Sequence, residues 1–470
     1  MKKNIFTAVG LLWGISAWAH NPGHVSQVSV TQEEAEKVRR LETYLEDQGI
    51  YSEISQPGIK LGGYVDVSYV YNFNGGGVSD LDEANAITGE DSQDFNLNQI
   101  NLTLSKALPA DNKWAAGFAI SLNWGEDVES HHGGTDEHGH ADVLSTVHEA
   151  IVQFRIPVGR GLDFSLGKWH SLMSYESHDR PYNINYTHGL LAHYLDPGEH
   201  VGLVISYPAT DWLTLDLGLA NGWHNSDSAF LDDSDFSKLI TGAMTLQNLE
   251  KNASLRGALA YSPEGELPFS RVDTADHSDH IHRDGHTTHL QENGALWAFT
   301  LQGQWLPKCS KDRWLLGFNT ILVSVDDNLK HVKLSESHEH EGHGVHYGNV
   351  GLDKNGATAW GVGLYSKYQF NSWFSLAGRL EYLHADDGTL GFVDGVIKEG
   401  KNISKDKNEV YVSQTDLYSA TLTAGFDFWR NVGCRLEYRA DMVSSRGQES
   451  VLGNDNNQQH TLVLNLFYLF

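Results

Sequence analysis

The sequence predicts an all-β fold, a transmembrane antiparallel β-barrel of about sixteen strands with short turns at one end and long loops at the other. Three observations predict it. Apolar residues recur with period two along segments of ~10 residues, the pattern of strands with two unlike faces. The connections alternate between short and long. No helix-period segment separates the strands, which excludes α/β architectures.

The chain opens with Lys2-Lys3, an apolar run from Ile5 to Trp18 and the small-x-small end Ala17-Trp18-Ala19. That three-part pattern is a secretory signal peptide over residues 1–19, cut before His20. Residues 20–57 form a polar segment in which Val38, Leu41 and Leu45 recur at helical spacing. A short amphipathic helix is expected there, with Glu33, Glu34 and Glu36 near its positive end and Gly49 as its stop. Its apolar stripe is thin: it either finds a partner or stays a frayed surface helix.

From residue 58 to 470 the chain is written in strands. In IKLGGYVDVSYVYNF, Leu61, Val65, Val67, Tyr69, Tyr71 and Phe73 make one face, with Lys60, Asp66 and Ser68 opposite. KWAAGFAISLNW, AIVQFRIPV and HTLVLNLFYLF repeat the alternation with aromatics near their ends. Strand cores are expected at 59–73, 94–108, 113–124, 145–158, 162–170, 200–208, 212–221, 237–248, 253–262, 294–307, 313–325, 357–370, 373–384, 413–428, 433–444 and 459–470. Turns such as 109–112, 159–161, 209–211 and 371–372 are short, and the connections between them are long. That asymmetry is characteristic of bacterial outer-membrane barrels. Closure follows from the solvent, because an open sheet edge in lipid leaves backbone N–H and C=O groups unpaired.

Composition alone hides this. With 40% hydrophobic residues, the averages resemble a soluble protein. The 33 basic and 61 acidic side chains give a formal charge of −28, which excludes a nucleic-acid binder. Two cysteines exclude a disulfide scaffold or a Cys-based zinc module, and Cys309 and Cys434 fall too many strands apart to bridge.

The segments LGGYVDVSYVYNF, HEAIVQFRIPVGRGLDFSLGKW, NINYTHGLLAHYLDPGEHVGLVISY and LGLANGW resemble the OmpL-like β-barrel porins of outer membranes, most closely over roughly residues 59–225. The resemblance implies an outer-membrane channel. The terminal Phe470, with its alternating apolar partners, is similar to the signal read by the barrel-assembly machinery. Three His-rich loops and the N-terminal helical segment depart from the family pattern. Sixteen-stranded relatives suggest a homotrimer.

The connection at about 171–200 occupies the third long-loop position, where general porins resemble one another in folding a loop into the lumen. It carries Glu176, Asp179, Arg180, His188, His193 and Glu199 among Tyr182, Tyr186 and Tyr194. By parity, Arg155, Arg256, Arg379, Arg435 and Arg439 point inward, as do Asp66, Asp216, Glu381, Glu437 and Asp441. Two outcomes are open. Glu176, Asp179 and Arg180 facing the wall arginines would form a pore constriction with a transverse field. Alternatively, the same charges form mutually satisfied ion pairs.

Histidine is the outlier, 25 in all. His131, His132, His138 and His140 form one loop cluster, and His277, His280, His282, His286 and His289 a second. His331, His338, His340, His343 and His346 form the third. Imidazoles interleaved with carboxylates are ligands for Zn, Cu or Ni, although the spacing defines no tetrahedral site. The same tracts also read as solvated loops, or as groups that charge near pH 6. No cofactor is required, and no Walker loop, dinucleotide fingerprint or nucleophile elbow marks an enzyme. Three functions stay open: a diffusion channel for small hydrophilic solutes leaning to cations, a metal-capturing binder or importer, and a non-conducting structural or adhesive barrel.

Overall fold

The computed structural model describes residues 58–73, 93–127, 146–223, 238–265, 294–310, 313–333, 352–386, 409–411, 415–429, 431–445 and 458–470. The expected signal peptide (1–19), the helical segment 20–57 and the histidines of 131–140, 277–289 and 338–346 lie outside these residues.

The strands are β1 (Ile59–Asn72), β2 (Phe95–Lys106), β3 (Ala115–Trp124), β4 (Val147–Ile156), β5 (Leu162–His170), β6 (Glu199–Tyr207), β7 (Leu213–Ala220), β8 (Leu239–Gln247) and β9 (Ala253–Gly265). They continue with β10 (Gly294–Trp305), β11 (Trp314–Lys333), β12 (Leu352–Gln369), β13 (Phe374–Ala385), β14 (Glu409–Tyr411), β15 (Thr415–Trp429), β16 (Val432–Ser445) and β17 (Gln458–Leu469). Each pairs antiparallel with its neighbour, β13 pairs with β15, and β17 returns to β1. Sixteen strands therefore close a barrel. The seventeenth, β14, only flanks the far end of β11, with Val332 opposite Val410.

Closure joins Asp66 to Phe467 in register and ends on reciprocal backbone bonds between Gly63 and Phe470, at 3.2 and 3.0 Å. Gly63 permits this approach on both sides, since a Cβ there would overlap Asn101 O of β2 and lie 2.8 Å from the Phe470 ring.

Polarity is inverted relative to a soluble fold. Outward side chains are apolar and exposed, among them Val152, Leu166, Leu217, Leu259, Leu380 and Leu422. Inward positions bury Asp66, Gln99, Asn101, Gln302, Arg379, Glu437 and Asn465. Trp114, Trp212, Trp305, Trp314, Trp373 and Trp429 are exposed beside the short turns, as an aromatic girdle at one membrane interface requires.

Two departures from the sequence expectation have local causes. β11 and β12 run past residue 325 and begin before 357, because Asn328–Val332 pair with Leu352–Asn355 beyond an irregularity at Val325/Asn328. His331 thus belongs to a strand rather than to a loop. The inner faces of β8 to β13 also carry apolar residues such as Leu296, Ile321, Val323 and Leu383, so part of the lumen wall is dry.

Candidate channel constriction

That dry wall explains how the connection between β5 and β6 folds. Leu172, Met173, Leu190, Leu191, Tyr194 and Leu195 are nearly inaccessible and join Trp169, Leu239, Ile321 and Leu383 in one apolar cluster inside the barrel. Residues Leu190–Tyr194 form a single helical turn, α1, and Arg180–Tyr182 form a 3-10 turn opened by Pro181. The loop also braces itself. The Asn183 carboxamide bridges Ser177 N (2.8 Å) and Ser177 O (2.6 Å), while Asp196 accepts from Ser174 Oγ at 2.8 Å and from Gly198 N at 2.9 Å. Burial pushes the Asp196 carboxyl up to about 7.

The polar side of the loop is gripped from β13, β15 and β16. Arg379 donates to Glu176 Oε1 (3.0 Å), Thr187 O (2.6 Å) and His188 O (3.2 Å), and its Nε lies 3.0 Å from Glu381 Oε2. Arg439 donates to His188 O at 2.6 Å and is paired with Asp441 at 2.9 Å. Arg435 donates to Pro181 O at 2.7 Å and stacks over the Phe467 ring. The wall carboxylates hold the loop's N–H groups: Glu437 accepts from Tyr186 N and Thr187 N, and Glu381 from Leu190 N.

The opposite wall grips it as well. Tyr64 donates to Asp179 at 2.6 Å, and Gln99 bonds His178 O (2.9 Å) and Arg180 N (3.2 Å). Further round, Arg256 donates to Leu172 O at 2.9 Å and Gln302 to Ser174 O at 3.3 Å. The loop therefore touches the wall at β1, β2, β9, β10, β13, β15 and β16, spanning the lumen.

Of the sequence-predicted residues, Glu176 and Arg379 meet as an ion pair. Asp179 accepts from Tyr64, and Arg180 pairs with Asp127 while lying over the Tyr186 ring at 4.8 Å. Arg256 pairs with Asp216 at 3.5 Å beside the loop's first residues. Arg155 sits apart at the short-turn end, bound to Asp163 (2.6 Å) and to Pro109 O (2.5 Å). Wall arginines address loop carbonyls, and carboxylates of the loop and wall pair with neighbouring guanidinium groups. Asp127, Tyr64, Gln99 and Thr187 complete the assembly and were not expected. A register shift in β2 at Asn98 turns the consecutive Asn98 and Gln99 both inward, which alternation does not show, and nothing in the local pattern marks Asp127.

The buried charged side chains among the described residues comprise eleven carboxylates against six cations. Cys309 and Cys434 are free thiols.

A family model described as "Putative beta-barrel porin-2, OmpL-like" matches residues 58–470. Among solved structures, the chain is similar to OprB of Pseudomonas putida, at 12% identity and a TM-score of 0.52, covering 90% of this chain and 97% of that one. The outer-membrane channel DcaP of Acinetobacter baumannii gives 13% and 0.51, covering 88% and 99%. OmpT of Vibrio cholerae gives 9% and 0.50, covering 88% and 97%. No curated protein sequence matches the chain.

Proposed function

Because the chain belongs to the OmpL-like β-barrel porins, we propose that it is a diffusion channel for small hydrophilic solutes, with the loop at 171–198 as its constriction and a preference for cations. The observation that carries the cation preference is the excess of buried carboxylates over cations in the described residues. A field of one sign in a narrow, partly dry lumen favours counter-ions even where most charges are paired. Glu176, Asp179, Arg180, Arg256, Arg379, Arg435 and Arg439 hold the constriction together, and Arg155 steadies the short-turn end. Export by the signal peptide, insertion by the barrel-assembly machinery and assembly as a homotrimer belong to the same proposal.

The test is single-channel recording in planar bilayers. Ohmic steps with a reversal potential of cation sign across a KCl gradient are expected; anion preference refutes the selectivity, and absence of steps refutes conduction. One observation favours a second reading. The loop bonds to seven strands on opposite sides of the lumen, as a closed barrel would require, and a silent bilayer selects that non-conducting alternative. Capture of Zn, Cu or Ni by the histidine tracts at 131–140, 277–289 and 338–346 is a further proposal. It is supported by the clustering of these residues in the sequence and is tested by titrating zinc into the full chain and into a variant lacking the tracts: the full chain should bind more equivalents, and equal stoichiometry refutes capture.

A further inference from the structure

We propose that the interior of the barrel holds a divalent transition-metal site built from His148, His170 and Glu199, separate from the histidine tracts of the long loops and independent of what the channel conducts. One ligand atom from each residue lies within 4.8 Å of the others. The sheet itself brings them together. His170 and Glu199 are direct partners in the β5–β6 register, and the β4–β5 register, which pairs Ala150 with Lys168, reaches His148 and His170 two residues further on. An irregularity between β3 and β4 pairs Ser121 with Glu149 and Leu122 with Val147, leaving His148 as the extra residue of a bulge. Bulges re-aim side chains in this way.

The chemistry suits Zn, Ni, Cu or Co. Imidazole and carboxylate together are ligands for these ions, and harder ions prefer all-oxygen sets. Ligand atoms around tetrahedral zinc sit roughly 3.3 Å apart when bonds are ~2.0–2.1 Å. The present set brackets that spacing, from 2.5 Å between His148 Nδ1 and Glu199 Oε1 up to the 4.8 Å limit.

Around these three lies a supporting shell. His148 Nε2 faces Asp179 Oδ1 at 3.6 Å, the carboxylate–imidazole arrangement that orients metal-bound histidines. His178 brings another imidazole, its ring 5.4 Å from that of His148 and 5.8 Å from that of His170. Lys168 holds Glu199 Oε2 at 2.6 Å, leaving Oε1 turned toward His148. With neutral imidazoles, the two carboxylates against one lysine leave a net negative cluster that accepts a dication. His148 and Glu199 are only 1% and 4% exposed, so an ion there would be held away from bulk water. Because Asp179 and His178 come from the constriction loop, such an ion would pin that loop to β4, β5 and β6.

The test starts from full-length refolded protein in which the histidines at 131–140, 277–289 and 338–346 are replaced by asparagine. Calorimetry with Zn2+ and absorption with Co2+ should each report one bound equivalent, with the visible band of a low-coordinate cobalt site. In that background His170→Asn and Glu199→Gln should each weaken binding about 100-fold or more, and Asp179→Asn about tenfold. Heat-shifted mobility on gels identifies variants that keep the folded barrel. No Zn2+ bound at micromolar concentration in the parent variant overturns the proposal. Binding that survives both His170→Asn and Glu199→Gln overturns it equally.

Discussion

Replacing Glu437 by glutamine should release the constriction loop without disturbing the barrel. Glu437 Oε2 accepts from Tyr186 N at 2.5 Å and from Thr423 Oγ1 at 2.6 Å; Oε1 accepts from Thr187 N at 3.0 Å and from Thr187 Oγ1 at 2.5 Å. Glutamine has the same shape but only one accepting oxygen. Whichever way its amide is turned, the NH2 group meets a backbone N–H that cannot rotate away, Tyr186 in one orientation and Thr187 in the other. The threonine hydroxyls can turn to accept, but the amide N–H cannot. One buried donor is left unsatisfied, costing about 1–3 kcal/mol, and the surviving bonds to the loop lose their charge, worth about 1 kcal/mol more. A total of ~2–4 kcal/mol corresponds to a rise on the order of 30- to 1000-fold in the population of undocked loop. Proteolysis of a transiently opened segment tracks that population when reclosing is fast. Chymotrypsin has several sites between residues 171 and 198, including Tyr182 and Tyr186. Their cleavage in the folded barrel should therefore accelerate at least about 30-fold in Glu437→Gln. Cleavage at the unaltered rate, with the barrel still heat-shiftable, would refute the view that this carboxylate docks the loop.

The remaining expectations address other levels of the structure. Burial raises the Asp196 carboxyl to about 7, so its docked form favours the proton. The stabilising contribution is fully present below the ordinary carboxylate range and is lost as pH rises toward and through 7. With Glu176 as the nearby carboxylate, loop cleavage should grow from pH 5 to pH 8 and become flat in Asp196→Asn; an unchanged slope in that variant counts against the assignment. Leu380 is 59% exposed on the outer face, so Leu380→Arg should cost about 2–4 kcal/mol in lipid bilayers, read as a lower urea midpoint; no shift would mean that this face does not meet lipid. Gly63→Val places side-chain atoms against Asn101 O of β2 and the Phe470 ring and should cut the yield of heat-shiftable barrel several-fold, whereas wild-type yield would show that the β2–β1–β17 seam tolerates the added bulk.

How much of this was legible in the sequence differs between barrel and loop. Parity along β13 and β16 placed Arg379, Glu381, Arg435, Glu437, Arg439 and Asp441 inside, and all six are buried. It also turned Arg155 inward, but proximity to the turn at Pro109 and Asp111 captured that guanidinium at the rim. The β14 flank and the long β11–β12 hairpin escaped because Asp326, Asp327 and Asn328 interrupt the alternation that resumes beyond them.

The sequence by itself determined the closed barrel, its sixteen strands, and which face of each meets lipid. These follow from a period of two and from the alternation of short and long connections, both local properties that survive without knowledge of the neighbours. Only the tertiary structure decided what happens inside. Glu176 finds Arg379 across 203 residues, Thr187 finds Glu437 across 250, and Tyr64 finds Asp179 across 115. Such pairs depend on which strands face each other across the lumen and on how deeply the loop descends. A single extra residue at His148 also re-aims a ligand that strict alternation would place elsewhere. No local pattern encodes those distances, because they are set by closure of the whole ring and by the dry wall on which the loop comes to rest.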